Sequence, residues 1–331
     1  MTLFGHDAQA RAFLDALAGG RMHHAWLLAG PPGVGKASFA HAAAMRLLAG
    51  PGDAFDVPDP HPVRALLDAG SHPDFRLLDR GPRDPKLRDK PRPEWEGEER
   101  ARNITVDQVR RLQPLFGSTP ALSPWRAVVV DSIDDLEPAA ANALLKSLEE
   151  PPPRSVFLLV SHAPARLLPT IRSRCRLLRF QPLDDEDMAA AIRQALPDAN
   201  AREVEELAVA GEGAPGQALE RRGLGVPALE TELEALVVQG DTTNARRSSL
   251  ASKLSTKAAA ERYALFLDLV PRRIAAEARL RSGLALSQAL EIWDKASTLA
   301  ARARPLSLDP AATVFVLAGY LAALAPPKAR G

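Results

Sequence analysis

A glycine-rich run, Gly30-Pro31-Pro32-Gly33-Val34-Gly35-Lys36, stands between a short apolar stretch, Ala25–Ala29, and a stretch with helical spacing, Lys36–Leu48. No other feature restricts the fold of this chain as strongly. Glycines at these positions let backbone N–H groups turn inward on an anion, and the lysine reaches the outer phosphate oxygens. The helix that follows adds the positive end of its dipole. Such a loop belongs at the carboxyl end of a strand that feeds a helix, so a sheet of strands alternating with helices is expected. The candidate phosphate-binding residues are Gly30, Gly33, Gly35 and Lys36.

The alternation continues downstream. Ala127–Val130 is a β-branched run closed by Asp131, and Ser155–Val160 is a second apolar run; both have the pattern of strands buried in a parallel sheet. Between them AAANALLKSLEE reads as a helix, started by Pro138 and stopped by Pro151-Pro152-Pro153. Residues 7–18 form a helix ended by Gly19-Gly20, and ITVDQVRRLQPLF from Ile104 forms another, capped near Thr105 or Asp107. Residues 51–103 are rich in proline, and 80–102 mix charges with few apolar residues. A segment of that kind buries too little surface to offset its ordering entropy, which predicts a mobile surface insertion. Beyond Phe180 the pattern is helical, with a small unit over 181–225 and a larger one, rich in Ala and Leu, over 226–331. Trp26, Trp125 and Trp293 are expected to be packing residues.

A net charge of +1 does not advertise a nucleic-acid binder, so any DNA contact has to be a local patch. The single cysteine, Cys175, excludes a disulfide framework. The N-terminus lacks the pattern of a signal peptide. The longest apolar stretch, Ala311–Ala325, falls short of the roughly 20 residues that span a bilayer. A cytoplasmic protein with no membrane partner is expected.

Two positions break the chemistry that the loop promises. A hydrolysing P-loop follows its lysine with Ser or Thr to hold Mg²⁺; here the residue is Ala37, and Ser38 is rotated by about 100° around the helix. Asp131 ends its strand where a metal-supporting aspartate belongs, but the next residue, where a water-polarising glutamate is needed, is Ser132. Asp134 and Asp135 read as turn or cap residues past the strand end.

With these residues in view, the chain resembles the clamp-loader branch of the AAA+ family. The resemblance is carried by Arg21–Trp26 ahead of the loop, by Asn142–Pro152, and by the triplet Ser173-Arg174-Cys175. Gly70-Ser71-His72-Pro73-Asp74 and the paired loss at positions 37 and 132 are similar to its delta-prime type in particular. The resemblance implies an α/β P-loop domain with a parallel sheet over 1–180, a helical lid over 181–225 and an all-helical oligomerisation collar over 226–331. It implies gamma/tau ATPase subunits and a delta subunit of DNA polymerase III as partners, with the sliding clamp and primed DNA reached through the complex. It implies a stator without ATPase activity of its own, whose Arg174 reaches a neighbour's ATP as a trans-acting arginine; a planar, permanently charged guanidinium suits phosphate oxygens. The degenerate site, Gly30, Gly33, Gly35, Lys36 and Asp131, requires no cofactor and is expected to bind ATP or ADP weakly at most. Family members often carry a four-cysteine zinc module; here only His61, His72 and some aspartates stand in that region, a poor zinc site, so no zinc is expected. Where a lid arginine would sense nucleotide, this chain has Gln217. The competing reading, an ATP-hydrolysing motor subunit or another AAA+ remodelling ATPase, rests on Gly35, Lys36 and Asp131.

Overall fold

The computed structural model describes residues 3–50, 52, 54–87, 90, 94–95, 97–117 and 119–326. It divides into two compact units, Met1–Leu219 and Glu220–Gly331.

In the first unit, strands β1 (Ala25–Ala29), β2 (Phe75–Asp79), β3 (Arg126–Asp131), β4 (Ser155–Ser161) and β5 (Arg176–Arg179) form one parallel sheet in the order β2-β3-β4-β1-β5. Every residue of β1 and β4 is buried, so these strands alternate between two cores rather than between core and water. Trp26, Leu28, Val129 and Leu158 face helices α1 (Asp7–Ala18), α2 (Lys36–Ala49) and α3 (Pro62–Asp68). Leu27, Val128, Val130 and Phe157 face α4 (Val106–Arg110), α5 (Gln113–Phe116), α6 (Pro138–Glu149) and α7 (Pro169–Arg172). Three further helices, α8 (Asp185–Ala195), α9 (Ala201–Gly211) and α10 (Pro215–Glu220), close on a small core of Met188, Ile192, Val204, Leu207 and Ala218. The result is an α/β P-loop fold, with the loop leaving the carboxyl end of β1, which is paired on both sides.

The second unit is all helical: α11 (Val226–Gln239), α12 (Ala245–Leu254), α13 (Ala260–Arg279), α14 (Gly283–Ala303) and α15 (Pro310–Ala322). The apolar α15 packs against the other four and buries Val314, Leu317, Ala318 and Leu321. Along α14 the buried residues are Ala289, Ala296 and Ala303, one every two turns, and these small side chains let it lie close along α13. Trp293, expected as a packing residue, is instead 41% exposed on this helix. No helix among the described residues is long and apolar enough to cross a membrane.

Three features depart from the sequence reading or escape it. Strands β2 and β5 escape a pattern reading because Phe-Arg-Leu-Leu-Asp and Arg-Leu-Leu-Arg are short, charged edge strands. The helix expected from Ile104 is split into α4 and α5 at Arg111–Leu112; its Thr105 cap is present, sharing a capping box with Gln108. In segment 80–102, expected to be a mobile insertion, several described residues make defined contacts, while residues 88–89, 91–93 and 96 lie outside the described residues. Pro82 bridges Arg100 in antiparallel fashion, Arg100 pairs with Asp79 at 2.9 Å, and Arg80 pairs with Asp135 at 3.3 Å. Trp95 is 7% exposed, with the Arg100 guanidinium 4.9 Å from its ring centroid. One buried tryptophan supplies the apolar burial that the charge-rich composition concealed.

Candidate functional site

The phosphate loop is shaped by its glycines. Gly33 and Gly35 have φ values of +79° and +98°, a left-handed conformation in which a Cβ is strained. Gly30 is fixed by proximity instead: a Cβ there would stand 2.4 Å from the Phe180 carbonyl oxygen. Lys36 opens α2 and is 2% exposed. Its ammonium donates to the Gly30 carbonyl at 2.8 Å and to the Pro31 carbonyl. Burial lowers its pKa to about 8, although Asp131 and Asp134 pull it upward.

Beside the loop lies a cavity of about 540 Å³. Leu3, Phe4, Val34, Leu183, Ala191, Ala195 and Leu219 give it an apolar part; His6, Lys36, Ala37, Ser38 and His162 line the rest. Its size and its apolar lining suit a nucleoside, while the loop suits the attached phosphates. The metal half of the site is another matter. Ala37 presents a methyl group where an oxygen ligand is required, and the residues present do not fit a Mg²⁺ ion.

Asp131 ends β3, and burial is the chief cause that raises its carboxyl pKa, His162 opposing. Ser132, the residue in the general-base position, is 3% exposed and donates its hydroxyl to Asp134 at 3.2 Å. Asp134 is more than a turn residue. Its two oxygens also accept from the Ser161 hydroxyl at 3.1 Å and from the backbone N–H groups of His162 and Ala163 at 2.6 and 3.2 Å. This carboxylate therefore clamps the end of β3 to the end of β4. His162 lies in the cavity with its pKa lowered, first by burial and then by Lys36. Sequence reading passed over both His162 and the clamp. The available signal was position: both follow buried strands of a parallel sheet at the end where ligands collect.

The small helical cluster closes against the loop. The Gly216 N–H donates to the Gly33 carbonyl at 2.9 Å, and the Gln217 amide donates to the Pro32 carbonyl at 2.9 Å. A Cβ on Gly216 would lie 3.0 Å from the Gly33 Cα, so glycine at both positions permits this approach. Gln217 thus holds the backbone of the loop rather than facing a phosphate with a charge.

Arg174 does not line this cavity. It lies between α7 and β5, with its side chain 35% exposed. Its Nη1 donates to the Thr170 carbonyl at 2.9 Å, and its Nη2 meets the Glu149 carboxylate at 3.0 Å. Cys175 beside it donates to the Ile171 carbonyl at 3.1 Å, and burial pushes its thiol up to about 12, which fits a packing residue rather than a nucleophile. The two histidines considered as metal ligands have local backbone roles: the His61 ring accepts from Val63 N–H to cap α3, and the His72 ring accepts from Asp74 N–H. Asp74, 2% exposed, accepts from the N–H groups of Ala121, Leu122 and Ser123 at 2.7, 2.8 and 3.0 Å, which holds the chain entering β3.

Comparison with known proteins agrees with these features. The sequence profile of the family described as "DNA polymerase III, delta subunit" matches residues 5–184. DNA polymerase III subunit delta' of Pseudomonas aeruginosa is 36% identical over 247 residues, covering 74% of this chain and 69% of that protein. The subunit of the same name from Escherichia coli K12 is 34% identical over 170 residues, covering 49% of this chain and 44% of that protein. DNA polymerase III subunit gamma/tau of Mycobacterium bovis is 31% identical over 184 residues, covering 54% of this chain and 28% of that protein.

Proposed function

We propose, from the premise that this chain belongs to the family of DNA polymerase III subunit delta' proteins, that it works as a clamp-loader subunit that does not hydrolyse ATP. In this reading it is a cytoplasmic stator beside gamma/tau ATPase subunits and a delta subunit. It contributes Arg174 to a neighbour's ATP while the assembly places the sliding clamp on primed DNA. One observation carries the reading: the loop survives while both groups needed for hydrolysis are gone. Position 37 is a methyl group, and the Ser132 hydroxyl is committed to Asp134 at 3.2 Å.

Arg174 supports the other half. Its guanidinium is partly exposed, permanently charged and held at the tip of a short helix–strand connection. Set against a neighbour's γ-phosphate, it would stabilise the negative charge that spreads over the equatorial oxygens in the transition state, an effect worth on the order of 10³–10⁵ in rate for such arginines. The cavity of about 540 Å³ and the retained Lys36 favour one addition, that the degenerate site binds ADP or ATP without turnover.

The test is ATP turnover, stimulated by clamp and primed DNA, in a loader reconstituted with the chain's own gamma/tau and delta partners. Arg174→Ala is expected to remove a large part of the turnover and Lys36→Ala to change it little. The reverse pattern would make this chain a motor and defeat the proposal.

A further inference from the structure

Resting on the reading of Arg174 as a trans-acting arginine, we infer that Glu149 is its positioning residue, the group that sets the guanidinium before a neighbour's phosphate arrives. Glu149 is the last residue of α6, and Glu150 follows it as the C-cap. Two carboxylates at the negative end of a helix dipole oppose local helix stability, so the helix itself gives no reason for an acid there. What Glu149 does have is Arg174. Its Oε1 lies 3.0 Å from Nη2, while the Thr170 carbonyl of α7 takes Nη1 at 2.9 Å.

A guanidinium has five N–H donors in one rigid plane. One of them donates to the Thr170 carbonyl, and the Nη2 end forms an ion pair with Glu149, so groups on two different helices restrict how the planar guanidinium can turn. An arginine side chain otherwise carries considerable rotamer freedom, which would have to be given up as the neighbour's active site assembles. With Glu149 in place, that ordering precedes docking, and the effect falls on rate rather than on nucleotide affinity. The ion pair is itself half open to water, with side chains 35% and 47% exposed. It therefore contributes little to holding the fold together, and Glu149 is expected to act chiefly through orientation.

The test uses the same reconstituted loader, with Glu149→Ala and Glu149→Gln each made alone and on an Arg174→Ala background. Glu149→Ala is expected to lower kcat about tenfold with KM for ATP unchanged, since orientation is lost but the charge stays. Glu149→Gln keeps an oxygen acceptor and is expected to restore most of the rate. On the Arg174→Ala background, Glu149→Ala is expected to do nothing further. A silent Glu149→Ala, a rate that rises when Glu149 is removed, or an equal loss on both backgrounds would each overturn the inference while leaving Arg174 intact as a trans-acting group. A silent Arg174→Ala would instead overturn the reading beneath it.

Discussion

Replacing Lys36 by methionine should change how stability depends on pH above neutrality. Lys36 is 2% exposed, and its ammonium is held by the carbonyls of Gly30 and Pro31. Burial, the dominant cause, takes its pKa from 10.5 to about 8. The folded pKa lies below the unfolded one, so between about 8 and 10.5 the unfolded chain keeps a proton that the folded chain has released. Stability then rises with pH across that window. Below it, both states are protonated and the full penalty of burying the charge is present. The fall from 10.5 to about 8 corresponds to about 3 kcal/mol in all, of which about 2 kcal/mol is regained by pH 10. Comparing urea unfolding of wild type and Lys36→Met from pH 7 to pH 10 isolates the effect, because every other side chain is common to both proteins. Wild type is expected to gain about 2 kcal/mol on the variant over that range. Repeating the series with saturating ADP is expected to flatten the curve, since a bound phosphate keeps the lysine protonated. A difference that does not move with pH would refute the reasoning: the ammonium would then be hydrated, or compensated, in the folded loop.

Other outcomes follow from the same geometry. The Cys175 thiol, raised from 9.0 to about 12, should react with a disulfide reagent at pH 8 about 10³-fold more slowly than an ordinary thiol; unfolding in urea should restore the ordinary rate. Asp74→Ala leaves three N–H groups without their carboxylate and is expected to cost about 3 kcal/mol by chemical denaturation, with Asp74→Asn recovering part of that. A Cβ at position 33 would meet the Gln217 backbone nitrogen at 2.8 Å on a residue with φ +79°. Gly33→Ala is therefore expected to destabilise by about 1–3 kcal/mol and to speed hydrogen exchange at the Gly216 amide. An unchanged Gly216 rate would show that α10 follows the loop without losing its bond.

The strands at the centre of the sheet were legible because burial on both faces leaves an uninterrupted apolar run, as in Ala127–Val130 and Ser155–Val160. The loop was legible because only glycine tolerates the backbone it needs. The outer strands β2 and β5 were not, since an edge strand carries arginines and its pairing partner is distant in sequence. The contacts made within segment 80–102 join Trp95, Arg100 and Asp79, which meet only after the chain folds back. At the site, a sequence shows which group stands next in the chain, as with Ala37 and Ser132. It does not show which group faces another across the sheet, and so His162, the grip of Asp134 on two strand ends and the pairing of Arg174 with Glu149 became visible only in three dimensions.

The Asp134 clamp bears on whether such a site could be turned back into a hydrolysing one. Threonine at position 37 and glutamate at position 132 would return the two missing groups in name. The glutamate, however, would enter a corner where the resident side chain is 3% exposed, next to a carboxylate already taken by four donors. Two carboxylates crowded there would not both stay ionised, so the newcomer would take up a proton and cease to be a base. Otherwise Asp134 would have to release the ends of β3 and β4. Restoring the two missing groups would therefore not be enough by itself, because the contacts by which Asp134 joins the ends of β3 and β4 would have to change as well.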